Sequence, residues 1–224
     1  MKNKNIDNIF IYWIYFVSLI LIFLYVIESF GLISRILRDD ISYISSLIAI
    51  IFLFYIIIGG YHLHKLRDAL YFLDSNKENA TDNIFITIYN DFFKASYIKN
   101  NESKTSPLYL SKIQSVQDNF KTRMYEFVDN SFFIADLLLK LGIVGTVIGF
   151  IIMLSSLSTI DEMNLSKMNN LLLSMSGGMK VALYTTLSGL IGSILITIQS
   201  NFLENKINIF INKALNTKHN EKKK

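Results

Sequence analysis

LGIVGTVIGFIIMLSSL, residues 141–157, is the stretch whose reading decides the fold. It is apolar and nearly long enough to cross a bilayer, yet Gly142, Gly145 and Gly149 notch it and Thr146 places a hydroxyl among them. On a helix Gly145 and Gly149 form a small-xxx-small pair, the device that lets a second helix approach closely in lipid. A second run, VALYTTLSGLIGSILITIQ at 181–199, repeats the theme with Ala182, Thr185, Thr186, Ser188, Gly189, Gly192 and Ser193 among Leu and Ile. Ala182, Thr186, Gly189 and Ser193 fall on one narrow small and polar face, so the two runs read as a pair.

Working outward, 51% of the 224 residues are hydrophobic and the mean hydropathy is +0.37, which marks an integral membrane protein. Four segments approach the ~20 apolar residues that a span requires. They predict an all-α chain with transmembrane helices at about 9–27, 42–60, 131–157 and 177–200, the last two extended into the cytoplasm as a helical bundle. The implied divisions are 1–60 for the two N-terminal spans, 61–130 for a cytoplasmic helical segment, 131–200 for the paired spans, and 201–224 for a basic C-terminal helix and tail. Lys2 and Lys4 precede the first span as in a signal peptide, but that span is longer than an h-region and no small-residue cleavage site follows it, so it reads as a retained helix.

The net charge of +4 comes from Lys and Arg scattered between the spans and gathered at the tail, a topology signal and not a nucleic-acid surface. Lys65, Arg67, Lys94, Lys121 and Arg123 mark 61–130 as cytoplasmic, as Lys206, Lys213 and 222–224 mark the tail. The connectors 28–41 and 158–179, in which acids offset the bases, then lie outside. Both termini are expected in the cytoplasm, in a multi-pass membrane protein. With no cysteine, disulfides and thiolate chemistry are excluded.

The cytoplasmic segments carry helical stripes. Ile84, Ile88 and Phe92 recur before a turn region at 100–107; Ile113, Val116, Phe120, Met124 and Phe127 recur after it with no Gly or Pro until Gly142. One helix from Leu108 to Leu157 would be roughly 75 Å long. Phe202, Ile207, Phe210, Ile211 and Leu215 continue the last helix inward, so two long helices are expected side by side.

No phosphate-binding glycine loop, HExxH, nucleophile elbow or intramembrane carboxylate pair is present, so the chain does not read as an enzyme and calls for no cofactor or metal. His62 and His64 form an HxH, but i and i+2 on a helix point about 200° apart, which favours interfacial histidines over a metal site. Asp136 and Lys140 are either a simple i, i+4 ion pair or charges at the inner mouth of an ion path. The span hydroxyls likewise have two readings. They bond the preceding turn of their own helix, or Thr146 and Thr186 face a common axis, lining a path whose titrating carboxylate comes from another chain.

GIVGTVIGF at 142–150 and ALYTTLSGL at 182–190 resemble the paired signatures of the MotA/TolQ/ExbB proton-channel subunits on their last two helices. The resemblance covers roughly 130–213 and implies a homo-pentamer embedded in lipid around two copies of a single-span MotB/TolR/ExbD-like partner, whose Asp carries the ion. By motif position Thr146 and Thr186 match the family's pore threonines, with Thr185 assisting; Gly142, Gly145, Gly149, Ala182 and Gly189 serve helix packing at the pore. Such complexes couple ion flow to rotation. Four spans resemble the MotA layout; Val181 stands where ExbB-type members tend to carry Glu, and the Thr185-Thr186 pair is similar to that of sodium-driven stators, so the carried ion reads as a proton with sodium as the alternative. The competing readings are a structural membrane scaffold and a small secondary transporter.

Overall fold

The computed structural model describes residues 4–40, 42–75, 83–98, 107–155 and 165–221. Its elements are α1 (Lys4–Ser29), α2 (Leu32–Asp39), α3 (Ile44–Ser75), α4 (Ile84–Ile98), α5 (Pro107–Ser155) and α6 (Leu165–Glu221). Among the described residues there is no strand, and α1, α3, α5 and α6 are each long and apolar enough to cross a membrane. The chain is therefore the all-α, four-span protein expected from its hydropathy, with α5 and α6 extended past their spans.

Pro107 opens α5, where a missing N–H costs nothing and a fixed φ suits the first turn. With no further proline or interior breaker strong enough to stop it, the helix runs 49 residues, about 74 Å. The last helix starts at Leu165, well before the onset at 177 read from hydropathy, because the polar Ser166-Lys167 and Asn169-Asn170 pairs lower apolarity without opposing helical backbone. The turn residues 100–106 and the connector acids Asp161 and Glu162 lie outside the described residues.

Two compact units are distinguishable. The first comprises residues 1–15, 58–130 and 200–224. Its core joins members of the predicted stripes, Ile88 and Phe92 of α4, Phe120 and Met124 of α5, and Ile207 and Phe210 of α6, to Leu63, Leu66 and Leu70 of α3, which no stripe had marked; all are buried. Phe92 stacks on Phe120 at 4.5 Å, and His62 lies flat on Phe127 at 3.8 Å. Asn83 caps α4: its Oδ1 accepts from Phe85 N at 3.1 Å while its Nδ2 donates to Lys65 O at 2.6 Å, which fixes α4 against α3. Ile84 departs from its expected place in the stripe. It is 55% exposed, and Phe85 and Tyr89 take the inner face, because the Asn83 cap sets the rotation of the first turn one residue further on.

The second unit comprises 16–57 and 131–199. Ile20, Ile48, Phe52, Ile56, Ala135, Leu138 and Ile196 form its core. Gln199 donates from Nε2 to Ile56 O at 3.1 Å, a buried amide pinning α6 to α3. The connector 28–41 contains α2, an amphipathic helix of eight residues for which the sequence reading assigned no element. Gly31, at φ +65°, makes the sharp entry that a Cβ would strain. Glu28 then accepts from Ser34 N at 3.2 Å and from its hydroxyl, closing the first turn of α2.

At the far end of α2, the buried carboxylate of Asp40 accepts from Ser42 N at 3.0 Å, from the Ser42 hydroxyl and from Ser45 N at 2.8 Å. It neutralises orphan donors where α3 begins and sits favourably at that helix's positive end. Asp40→Ala should cost about 1–3 kcal/mol through the unsatisfied donors, read as a lower thermal midpoint of the full chain in detergent. Asp40→Asn, which keeps one acceptor, should lose less; equal midpoints for wild type and Asp40→Ala would refute the capping role.

Candidate functional site

In the second unit α5 and α6 run antiparallel in near backbone contact. The register is written by the glycines. A Cβ on Gly189 would stand 2.6 Å from Leu138 O; one on Gly142 would meet Thr185 O at 3.1 Å and the Thr186 Cα at 3.3 Å. One on Gly145 would collide with the Thr185 side chain, and one on Gly149 would stand 2.6 Å from Ala182 N and 2.7 Å from Gly178 O. Gly178 closes the series, its missing Cβ leaving room for Met153 N at 2.7 Å. Five glycines thus remove the side-chain layer that ordinarily holds helices 8–10 Å apart. In lipid, where hydrophobicity does not drive helices together, this contact area is the source of the association.

Thr185 lies in this seam, fully buried, and its Oγ1 donates to Val181 O at 2.9 Å and Ala182 O at 3.1 Å. Thr186 and Thr146 are half-buried. Thr186 Oγ1 donates to Ala182 O at 3.0 Å and approaches Gly142 O across the seam at 3.4 Å, while Thr146 Oγ1 donates to Ile143 O one turn back.

The rotation of about 100° per residue then fixes where the hydroxyls stand. Thr146 lies one position past Gly145 on α5 and Thr186 one past Thr185 on α6, and because the helices are antiparallel the two steps turn to the same flank of the seam. Thr186 is level with Gly142, so Thr146, four residues along α5, is offset from it by about 6 Å. That flank carries Ile143, Val147, Phe150, Leu183 and Leu190, all exposed. The opposite flank is the one covered by α3, where Gly192 packs toward Ile48 and Phe52.

The structure therefore brings Thr146 and Thr186 to one uncovered flank and places Thr185 between the helices, with Gly142, Gly145, Gly149, Ala182 and Gly189 all in the seam. Gly178 belongs with them; it was missed because it precedes the apolar run, although its spacing of four from Ala182 continues the small-residue row. Asp136 and Lys140 pair at 2.6 Å on the exposed side of α5, the carboxylate ten residues before Thr146. An ion pair this open contributes little to stability. His62 and His64 are separated as their spacing required: His62 stacks on Phe127, and His64 Nδ1 meets Asp68 at 3.3 Å. Lys180 reaches Asp39 at 3.3 Å, a partner invisible in the sequence across 141 residues.

Residues 87–215, more than half of the chain, match the family model of the MotA/TolQ/ExbB proton channel family. The match begins in α4, takes in all of α5 and ends in α6, and so contains the whole seam. No curated protein and no solved structure gives a match.

The seam makes a prediction that separates its two kinds of contact. Gly145→Ala should weaken the folded chain by about 1–3 kcal/mol through overpacking, and Thr185→Gly in the same chain should recover part of the loss because the intruded atoms are a side chain. Gly149→Ala meets backbone, so no trimming of α6 should recover it. Thermal midpoints of the four variants in detergent check this; rescue of Gly149→Ala by Thr185→Gly would contradict the register.

Proposed function

Because this chain belongs to the MotA/TolQ/ExbB proton channel family, a channel-type family of membrane proteins that act with partner proteins, we propose that it is the ion-conducting subunit of a rotary motor in a bacterial inner membrane. Thr146 and Thr186 line the path, and Thr185 assists by shaping the seam behind them. Five copies surround two copies of a single-span partner that supplies an ion-carrying Asp. The carried ion is a proton, with sodium as the alternative, and no cofactor takes part. The N- and C-termini face the cytoplasm, which sets Asp136 and Lys140 at the inner end of the α5 span.

The observation that carries this reading is the uncovered flank. It is apolar except for the hydroxyls of Thr146 and Thr186 at adjacent depths and of Ser193 two turns beyond Thr186, and neither 141–157 nor 181–199 contains an Asp or Glu. Ile143, Phe150, Leu183 and Leu190 would meet lipid in an isolated chain; the hydroxyls among them suit a face shared with other helices better. Hydroxyls on such a face can replace part of an ion's hydration but cannot hold its charge, so the charge carrier comes from a second protein. A scaffold would need the glycines alone and has no use for Thr146 and Thr186 on the same flank.

Thr186→Val and Thr146→Val keep shape and remove the hydroxyl. Each should lower ion flux through the reconstituted complex by roughly tenfold, as expected when a permeating ion loses about 1–2 kcal/mol of solvation, while the assembly keeps its mass. Normal flux in a correctly assembled double variant would overturn the role of these residues, and a mass in detergent incompatible with five copies would overturn the stoichiometry.

A further inference from the structure

Asp136 and Lys140 precede the apolar run of α5, yet the helices beside them set the pair deep in the membrane. Ala135 and Leu138 are packed in one core with Ile20, Ile48 and Phe52. At 1.5 Å per residue Ile20 stands about 16 and 10 Å from the two ends of the 9–27 span, and Phe52 about 15 and 12 Å from those of 42–60. α6 agrees. A Cβ on Gly189 would stand 2.6 Å from Leu138 O and 3.1 Å from Gly142 N, and Gly189 lies about 12 Å along the helix from Val181 and about 15 Å from Gln199. Leu138 falls between the two charged residues in the chain, so the 2.6 Å pair of Lys140 Nζ with Asp136 sits close to mid-depth.

Charges at that depth turn to a bundle interior or a water-filled space, not to hydrocarbon. In the single chain both are open, Asp136 54% and Lys140 67% exposed, and the aspartate side chain is too short to snorkel out. Their place on α5 identifies what they face. Asp136 is seven residues, two turns, before Ile143, and so on the line of α5 that points to the uncovered flank. α6 continues the polarity at the same level. Ser193 and Thr197 follow Thr186 at i+7 and i+11 on one face, both half-buried, and the antiparallel register that sets Gly189 beside 138–142 sets Ser193 beside Asp136. Thr197 Oγ1 donates to Ser193 O at 2.8 Å. The inward continuation of the flank is thus polar, while its outward course runs through Val147, Phe150 and Leu183, all exposed and apolar.

We infer that the inner part of this flank lines a hydrated vestibule, open to the cytoplasm and reaching as deep as Lys140, with Ser193, Thr197 and the Asp136–Lys140 pair in its wall. Neighbouring copies in the assembly proposed above, on which this reading rests, exclude lipid from it. Opposite charges keep the space wet where an apolar wall would dewet, and they add no net charge to hold the ion back. A hydrated cation released at Thr186 leaves this way, so the partner's carboxylate carries it only across the outer, dry part of the path.

The chain has no cysteine, so single cysteines report water access in the full assembled complex. Leu139→Cys, one turn before Ile143, spares the ion pair; Ser193→Cys probes the facing helix; Leu53→Cys, exposed on α3 at like depth, is the lipid-facing control. In inverted membrane vesicles a membrane-impermeant cationic methanethiosulfonate should label positions 139 and 193 about tenfold or more faster than position 53, because a thiol in hydrocarbon forms no thiolate. Equal rates at the three positions overturn the vestibule, as does labelling of 139 and 193 only in right-side-out vesicles. Asp136→Leu with Lys140→Leu should slow labelling at 139 and cut ion flux through the reconstituted complex by about tenfold. A double variant of normal assembled mass that leaves both unchanged overturns the role of the pair. Fast labelling alongside normal flux in the Thr146→Val and Thr186→Val variants keeps the vestibule and refutes the threonine path, so the two readings fail separately.

Discussion

Everything in the membrane-spanning part of this chain depends on how closely α5 can approach α6. Hydrocarbon surrounding a helix is as good a solvent for Leu and Ile as another helix is, so burial alone gives two spans no reason to associate. Here Gly142, Gly145 and Gly149 face Gly178, Ala182, Thr185 and Gly189, and the space that side chains would fill is taken by the opposing backbone. Dispersion contacts at that separation are numerous and geometrically exacting. The same steric notches also determine rotation, because a turn of either helix by one residue would drive a Leu or Val into backbone. Both flanks of the seam inherit their character from that rotation.

The flanks have been put to different uses. One receives α3, with Ile48, Phe52 and Ile56 against Leu138 and Ile196, and is locked by the Gln199 amide on Ile56 O. The other keeps its apolar side chains outward with two threonines among them. α1 is the loosest participant: of its residues from 11 onward only Ile20 is buried, so it behaves as a lipid-facing helix held at few points. The family match leaves α1 to α3 outside its bounds and covers the seam entirely. The part of the molecule that the family shares is thus the part with the strictest steric demands.

Much of this was legible in the residues themselves. Glycine spacing announced the seam, and the Phe120 and Met124 stripe announced that α5 would run unbroken from about Leu108 into its span. What escaped was written at smaller scale or at longer range. α2 is eight residues, too few for periodicity to register against Arg35, Arg38 and Asp39, and it exists because Gly31, Glu28 and Asp40 close its ends. Ile84 was assigned inward by its spacing of four from Ile88, whereas the Asn83 cap rotates Phe85 inward. The onset of α6 at Leu165 was hidden because hydropathy measures lipid affinity and not helicity. Lys180 and Asp39 are far apart in the chain, and only the fold makes them neighbours.

One detail of the seam concerns the sign of charge. Thr146, Thr185 and Thr186 each donate their hydroxyl proton to a carbonyl of the preceding turn of their own helix. A hydroxyl so engaged has no proton left to offer and presents only its lone pairs. Thr146 and Thr186 therefore turn acceptors to the uncovered flank, while Thr185 stays buried in the seam behind them. Lone pairs so placed suit a cation better than an anion, in keeping with the path proposed above. On the proposed reading, a preference for cations rests on the backbone's hold on two side chains, with no Asp or Glu in 141–157 or 181–199.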